Sequence, residues 1–188
     1  MATRENGVLD AWMRLGTQAG KVLEAPEKLT PALGDIRPLL RTWCYLSIRD
    51  HQVWLLWKEA RKEYPALRLR RVTWHRVQER EDLAKVLDIE GFLEGAPKRL
   101  QITDARVDGE RWHDLEEDAG SLSFPPLYFP FRKILTLDGA RYGIEQSFHE
   151  GSIRLEWRSV APPEWEPLVR WTERCCQFFE ENLGSEPE

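Results

Sequence analysis

Four histidines and three cysteines are the side chains of this 188-residue chain best suited to metal ligation or nucleophilic attack. Their spacing organises neither. His51, His75, His113 and His149 are dispersed, with no His-Glu-x-x-His or Cys-x-x-Cys arrangement, so each reads as an ordinary surface or hydrogen-bonded histidine and no metal or other cofactor is expected. His113 and Asp114 stand beside Glu116, Glu117 and Asp118, donors that could hold a divalent ion. The calcium-loop pattern is absent, however, and a solvated acidic loop accounts for them. Cys44 and His51 could be cast as thiol and base, yet nothing supplies a group to orient the imidazole. Cys175 and Cys176 are adjacent; on a helix they point about 100° apart, a poor geometry for a mutual bridge. Gly139 and Gly143 surround Arg141 without any phosphate-binding glycine pattern. These residues point to binding and away from catalysis.

The nine tryptophans support the same direction. Tryptophan brings a large apolar area with few rotamers to freeze, which suits either a core thin in aliphatics or a surface built for contact. Charge divides the chain. Residues 1–100 carry 18 Lys/Arg against 14 Asp/Glu, for +4, and residues 101–188 carry 9 against 18, for −9. The basic excess peaks at 58–80, where eight cations face three acids, and the acidic excess at 104–118, where seven acids face two arginines. A basic stretch can be a phosphate footprint. The overall charge of −5, however, lacks the field of most nucleic-acid binders, and a solvated or internally paired face is the expected role of 58–80.

At 22.1 kDa, with 41% hydrophobic residues, the chain can bury a sizeable core as a single domain, 1–188, with a helical N-terminal part over 1–64. No uninterrupted apolar run has the length of a membrane span, and the residues after Met1 lack a signal-peptide core. A cytoplasmic location, without a disulfide framework or a membrane partner, is therefore expected.

Apolar spacing predicts a helix from Gly7 to Glu24, stopped by Pro26, and a second from Asp35 through Ile36, Leu39, Leu40, Trp43 and Leu46. Residues 42–58 allow a continued helix through Trp54 and Trp57 or a hairpin around Arg49–Gln52; the helix-forming residues at 58–63 favour helix for the second segment. Leu67–Trp74 alternates as a strand, Gln78–Leu87 returns to helical spacing, and Gly91, Gly95 and Pro97 mark a loop. A strand at Leu100–Thr103 precedes an Asp108–Gly109 turn, and Trp112–Gly120 reads as an irregular acidic connection. The prolines in Phe124–Phe131 impose an extended run, and Lys133–Leu137, Tyr142–Phe148 and Ile153–Trp157 form an antiparallel meander. A terminal helix from Glu164 to Leu183 places Trp165, Leu168, Val169, Thr172, Cys176, Phe179 and Leu183 on one stripe, which should cover the meander. Trp171 and Phe178 lie on its flank, either buried against the N-terminal helices or exposed as an anchoring pair. The fold class is α+β.

The succession Leu-Asp-Gly-x-x-Tyr from Leu137, a strand ending Glu156-Trp157, and a Pro-x-x-Trp-x-x-Leu opening of the last helix resembles the C-terminal part of tryptophan-marked bacterial immunity proteins of polymorphic-toxin systems. The resemblance covers residues 135–183 and implies a cytoplasmic inhibitor that binds and blocks a toxin, with no catalytic residues. On the charge pattern, Asp114, Glu116, Glu117 and Asp118, with Trp112 as apolar anchor, are the first candidates to meet a basic toxin domain, and Trp171 with Phe178 the second. The competing reading is a nucleic-acid-binding module in which Arg68, Arg70, Arg71, Arg76 and Arg80 contact phosphates and Trp74 stacks a base. A structural component of a bacterial assembly and an enzyme without a recognised motif complete the alternatives.

Overall fold

The computed structural model describes residues 2–34, 36–47, 49–59, 66–123, 139–148 and 151–184. The elements run α1 (Ala2–Leu23), a 3-10 turn (Pro26–Lys28), β1 (Pro38–Tyr45), β2 (His51–Lys58), β3 (Leu67–Trp74), α2 (Arg76–Lys85), α3 (Ile89–Leu93), β4 (Leu100–Arg106), α4 (Gly109–Gly120), β5 (Arg141–Phe148), β6 (Gly151–Arg158), a second 3-10 turn (Pro163–Trp165) and α5 (Glu166–Gly184). The six strands make one sheet in the order β4-β3-β2-β1-β5-β6, antiparallel at every pairing. Helices cover both faces. The α+β architecture, with an N-terminal helix and a C-terminal helix packed on the sheet, is the one the sequence predicts.

The helix expected from Asp35 to Leu46 is instead strand β1, and of the two alternatives for 42–58 the less favoured hairpin is the one formed, with Trp43 opposite Val53 and Tyr45 opposite His51. Residues 1–64 are thus not a helical part but contribute two strands of the sheet. The reason lies at the centre of the sheet. Val53 to Trp57 are all buried because β2 has a neighbour on each edge and helices over both faces. A strand buried on both faces loses the alternation that distinguishes it from a helix. The aromatic and β-branched residues Thr42, Trp43, Tyr45, Val53 and Trp54 then favour the pleated conformation. A second difference concerns 109–120, an ordinary amphipathic helix capped by the Asp108 carboxylate, which accepts from the Glu110 and Arg111 amides at 3.0 and 3.3 Å. Asp108–Gly109 is thus a helix start and not a hairpin turn. Gly91 likewise falls in α3 and not in the loop expected there. The Asp35 cap, the run 124–131, the strand at 133–137, His149 and the tail after Gly184 lie outside the described residues.

Two apolar layers sandwich the sheet. On one face Leu40, Trp54, Leu56, Leu69, Ile144 and Trp157 meet α4 and α5 through Trp112, Leu115, Trp165, Trp171, Cys175, Phe178 and Phe179. On the other, Trp43, Tyr45, Val53, Val72 and Trp74 meet Ala11, Leu15, Ala19 and Leu23 of α1, with Leu83 and Leu93 beyond. Eight of the nine tryptophans are buried and Trp12 is half-buried, so the indoles are spent on the core.

Polar side chains pin the layers at fixed points. Glu180 of α5 accepts from the Trp54 indole at 2.7 Å and pairs with Arg71, which ties α5 to β2 and β3. On the opposite face Arg70, fully buried, uses all five guanidinium donors. Two go to the Asp104 carboxylate at 2.7 Å each, and three to the carbonyls of Pro26, Leu29 and Pro31. The buried Glu79 accepts from the Trp74 indole and, at 2.6 Å, from the Lys98 amide. The two fully buried charges, Arg70 and Glu79, thus have their hydrogen bonds, as burial requires.

Candidate functional site

Helix α4 separates an apolar side from an acidic one. At about 100° per residue, Trp112, Leu115 and Ala119 fall on one side of it, and Glu110, Asp114 and Glu117 form a line on the opposite side. Trp112 and Leu115 are buried while the three carboxylates are exposed; Glu116 is exposed too, on the flank nearer Trp112. Among the described residues no cation lies within ion-pair distance of Glu110, Asp114 or Glu116, and Glu117 meets only the His113 ring at 3.3 Å.

The helix under this acidic ridge is held firmly. The Trp112 ring stacks on Phe178 and Phe179 with centroids 6.5 and 6.3 Å apart. Arg111 pairs with Glu181 at 2.6 Å and Asp118 with Arg174 at 2.7 Å. The Trp171 indole donates to the Leu115 carbonyl at 2.8 Å, and the Asp108 amide to the Asn182 side chain at 3.2 Å. The ridge therefore stands on a helix whose position α5 fixes.

The placement revises several site expectations. Trp112 is 4% exposed and lies on the core side of α4, so it anchors the helix and not a partner. Asp118 is taken up in its bridge to Arg174, which leaves Asp114, Glu116 and Glu117 from the original set, with Glu110 added. Trp171 and Phe178 are also buried, at 4% and 3%, and they pack against α4 and not against the N-terminal helices. The exposed aromatic pair is thereby excluded.

The basic segment is dispersed by strand alternation, which sends Arg70 and Arg71 to opposite faces of the sheet. Arg70 is buried and saturated, Arg71 is bound to Glu180, and Arg68 pairs with Glu59 at 3.1 Å. Trp74 is 0% exposed and cannot stack a base. Arg76 is half-buried and Arg80 exposed, both over the Trp12 ring at 4.8 and 5.8 Å. The six residues named for phosphate contact do not form one surface.

Two concavities lie at opposite ends of the strands. An open cleft of about 1160 Å³ is lined by Arg37, Trp57, Glu59, Arg68, Asp104 and Phe148 among others, with charges of both signs. A smaller pocket of about 290 Å³ gathers Gly16, Gly20, Tyr45, His51, Arg76 and Arg141. Its residues come from α1, β1, β2, α2 and β5, so no local motif announces it; the one legible signal is a pair of glycines four apart inside an amphipathic helix.

The thiols are placed for packing. Burial pushes Cys44 and Cys176 up to about 11 and raises Cys175 further from the ordinary thiol range. Protonated thiols are poor nucleophiles. At pH 8 the folded protein is expected to react with iodoacetamide about 100-fold more slowly than the urea-unfolded chain, because burial holds the thiols protonated well above the ordinary thiol range. Labelling at equal rates in the two states, followed by mass spectrometry, would contradict this burial.

Among the described residues no three His, Cys, Asp or Glu side chains are gathered as a metal-ligand set, and no helix is long and apolar enough to cross a membrane. In comparisons with known proteins, no family model, no curated protein and no solved structure matches the chain.

Proposed function

We propose that this chain is a non-catalytic, cytoplasmic binding protein of the immunity type, which neutralises a toxin by seating the acidic ridge of α4 against a basic toxin domain. One observation carries the reading. Glu110, Asp114 and Glu117 stand in line on an exposed face, with no Lys or Arg within ion-pair distance among the described residues and only the His113 ring beside Glu117, on a helix locked to α5 by aromatic stacking and two ion pairs. A ridge fixed before binding loses little freedom on association. Carboxylates lacking a Lys or Arg partner leave their field available to steer a cationic partner and to repel acidic ones.

The burial of the tryptophans fits a contact surface made by charge and not by exposed aromatics. Such a surface gains mainly in association rate and specificity. In a cell producing a cationic toxin domain identified by its co-purification with this chain, the wild-type protein is expected to restore growth. The triple variant Glu110→Lys, Asp114→Lys, Glu117→Lys should fail to do so, with association slowed at least about 10-fold at low salt. Circular dichroism should show the fold unchanged, since these side chains make no core contact. Equal protection by the wild type and the triple variant would overturn the reading.

A further inference from the structure

At the end of the sheet where β1 turns into β2, the 290 Å³ pocket brings together the guanidinium groups of Arg76 and Arg141. No carboxylate is found among the described residues that line it. The Arg76 guanidinium has lost much of its hydration. It donates to the Ser47 carbonyl and lies over Trp12 at 4.8 Å, and among the described residues no carboxylate is within ion-pair distance. Arg80 adds a second cation over the same indole. Across the pocket Arg141 lies over the Tyr45 ring at 4.9 Å, with its Nε 3.6 Å from Glu156. His51 completes the wall: its Nε2–H donates to the Leu46 carbonyl at 3.1 Å, which leaves Nδ1 as the lone-pair nitrogen. Burial first, and the Arg76 charge second, lower this imidazole to about 4, so it stays neutral at physiological pH.

The floor is the second observation. Gly16 and Gly20 lie on one flank of α1, and a Cβ built on either meets nothing within 4 Å. Both have ordinary helical backbones, so alanine would be tolerated sterically and would favour the helix. Glycine at both positions weakens the helix and keeps the cavity open. A neighbouring desolvated arginine that faces cations and no anion raises the energy of the folded state in a way that a bound anion relieves.

We propose that this pocket binds a small dianionic metabolite, a phosphate monoester or a dicarboxylate, through the guanidinium groups of Arg76 and Arg141. The volume lies near the lower end of the range for small-molecule sites, enough for an oxyanion with a compact organic body. Arginine suits planar, bidentate recognition of either oxyanion. The site lies on the sheet face opposite α4, so it stands or falls independently of the acidic ridge.

The test titrates the full chain with inorganic phosphate and, separately, with succinate, following the His51 ring by NMR and the melting temperature. Saturable binding should move the His51 resonances and raise the His51 pKa by about one unit or more, because an anion offsets the Arg76 charge, and should raise the melting temperature in step with occupancy. Tighter phosphate binding assigns a phosphoryl ligand and tighter succinate binding a dicarboxylate; either supports the site. Arg76→Gln should weaken binding at least 10-fold. Gly20→Leu, which fills the cavity and leaves every charge in place, should do the same while keeping the fold. Responses that fail to saturate, or that persist unchanged in Gly20→Leu, would overturn the proposal.

Discussion

Replacing Arg70 by alanine is expected to destabilise the protein by about 3 kcal/mol, a large part of the 5–15 kcal/mol typical of a domain. Arg70 sits on β3 with no exposed surface and gives all five of its donors to β4 and to the segment that follows α1. Without it the carbonyls of Pro26, Leu29 and Pro31 lose a shared donor, and the Asp104 carboxylate loses both of its hydrogen bonds. Asp104 is 41% exposed at its side chain and can regain water, which holds the loss near the lower end of the range for a broken buried pair. Arg70→Lys should recover little, because an ammonium cannot reproduce the planar fork. Urea unfolding gives the magnitude, and faster amide exchange confined to 26–33 would locate it. A loss below about 1 kcal/mol in both variants would show that the network is not what holds this segment.

Gly143→Ala is expected to be nearly as damaging, at about 2–4 kcal/mol, for a steric reason. Gly143 of β5 pairs directly with Trp43 of β1, and a Cβ there would lie 2.1 Å from Trp43 Cζ2 and 2.3 Å from Cε2. The indole is 2% exposed, bounded by Arg154 at 4.6 Å from its centroid, and has no free space to move into. The missing side chain at 143 is therefore what lets the ring lie across the neighbouring strand. In a Trp43→Val background the same glycine substitution should become nearly neutral, giving a coupling of about 2 kcal/mol in a double-mutant cycle. Additive losses would show that the glycine serves its own backbone and not the tryptophan.

How far the sequence discloses this arrangement depends on what each element faces. Helix α5, the β5–β6 hairpin and β3 present one polar and one apolar side, or alternate regularly, and their spacing predicts them correctly. β1 and β2 do not, because the centre of a sheet covered on both faces carries apolar residues of both parities, and Val53–Trp57 then reads equally as helix. α4 was obscured by its own carboxylates: its apolar stripe is only Trp112, Leu115 and Ala119, so net charge hid the period. Once α4 is recognised as a helix, the burial of Trp112, Trp171 and Phe178 follows, because α5 needs a cover for its flank. The dispersal of the basic segment was available from alternation alone, which separates Arg70 from Arg71. The cationic pocket was not, since Gly16, Tyr45, His51, Arg76 and Arg141 converge only when the strand order is known.

The tryptophans build the protein, and we propose that the carboxylate ridge of α4 meets the partner. Hydrogen exchange on a complex with a cationic toxin domain that co-purifies with this chain tests the proposed contact most directly. Protection should appear over 109–120 and weaken with rising salt, while α1 and the β1–β2 turn remain unchanged. Protection centred on any other segment, with 109–120 exchanging as in the free protein, would contradict it.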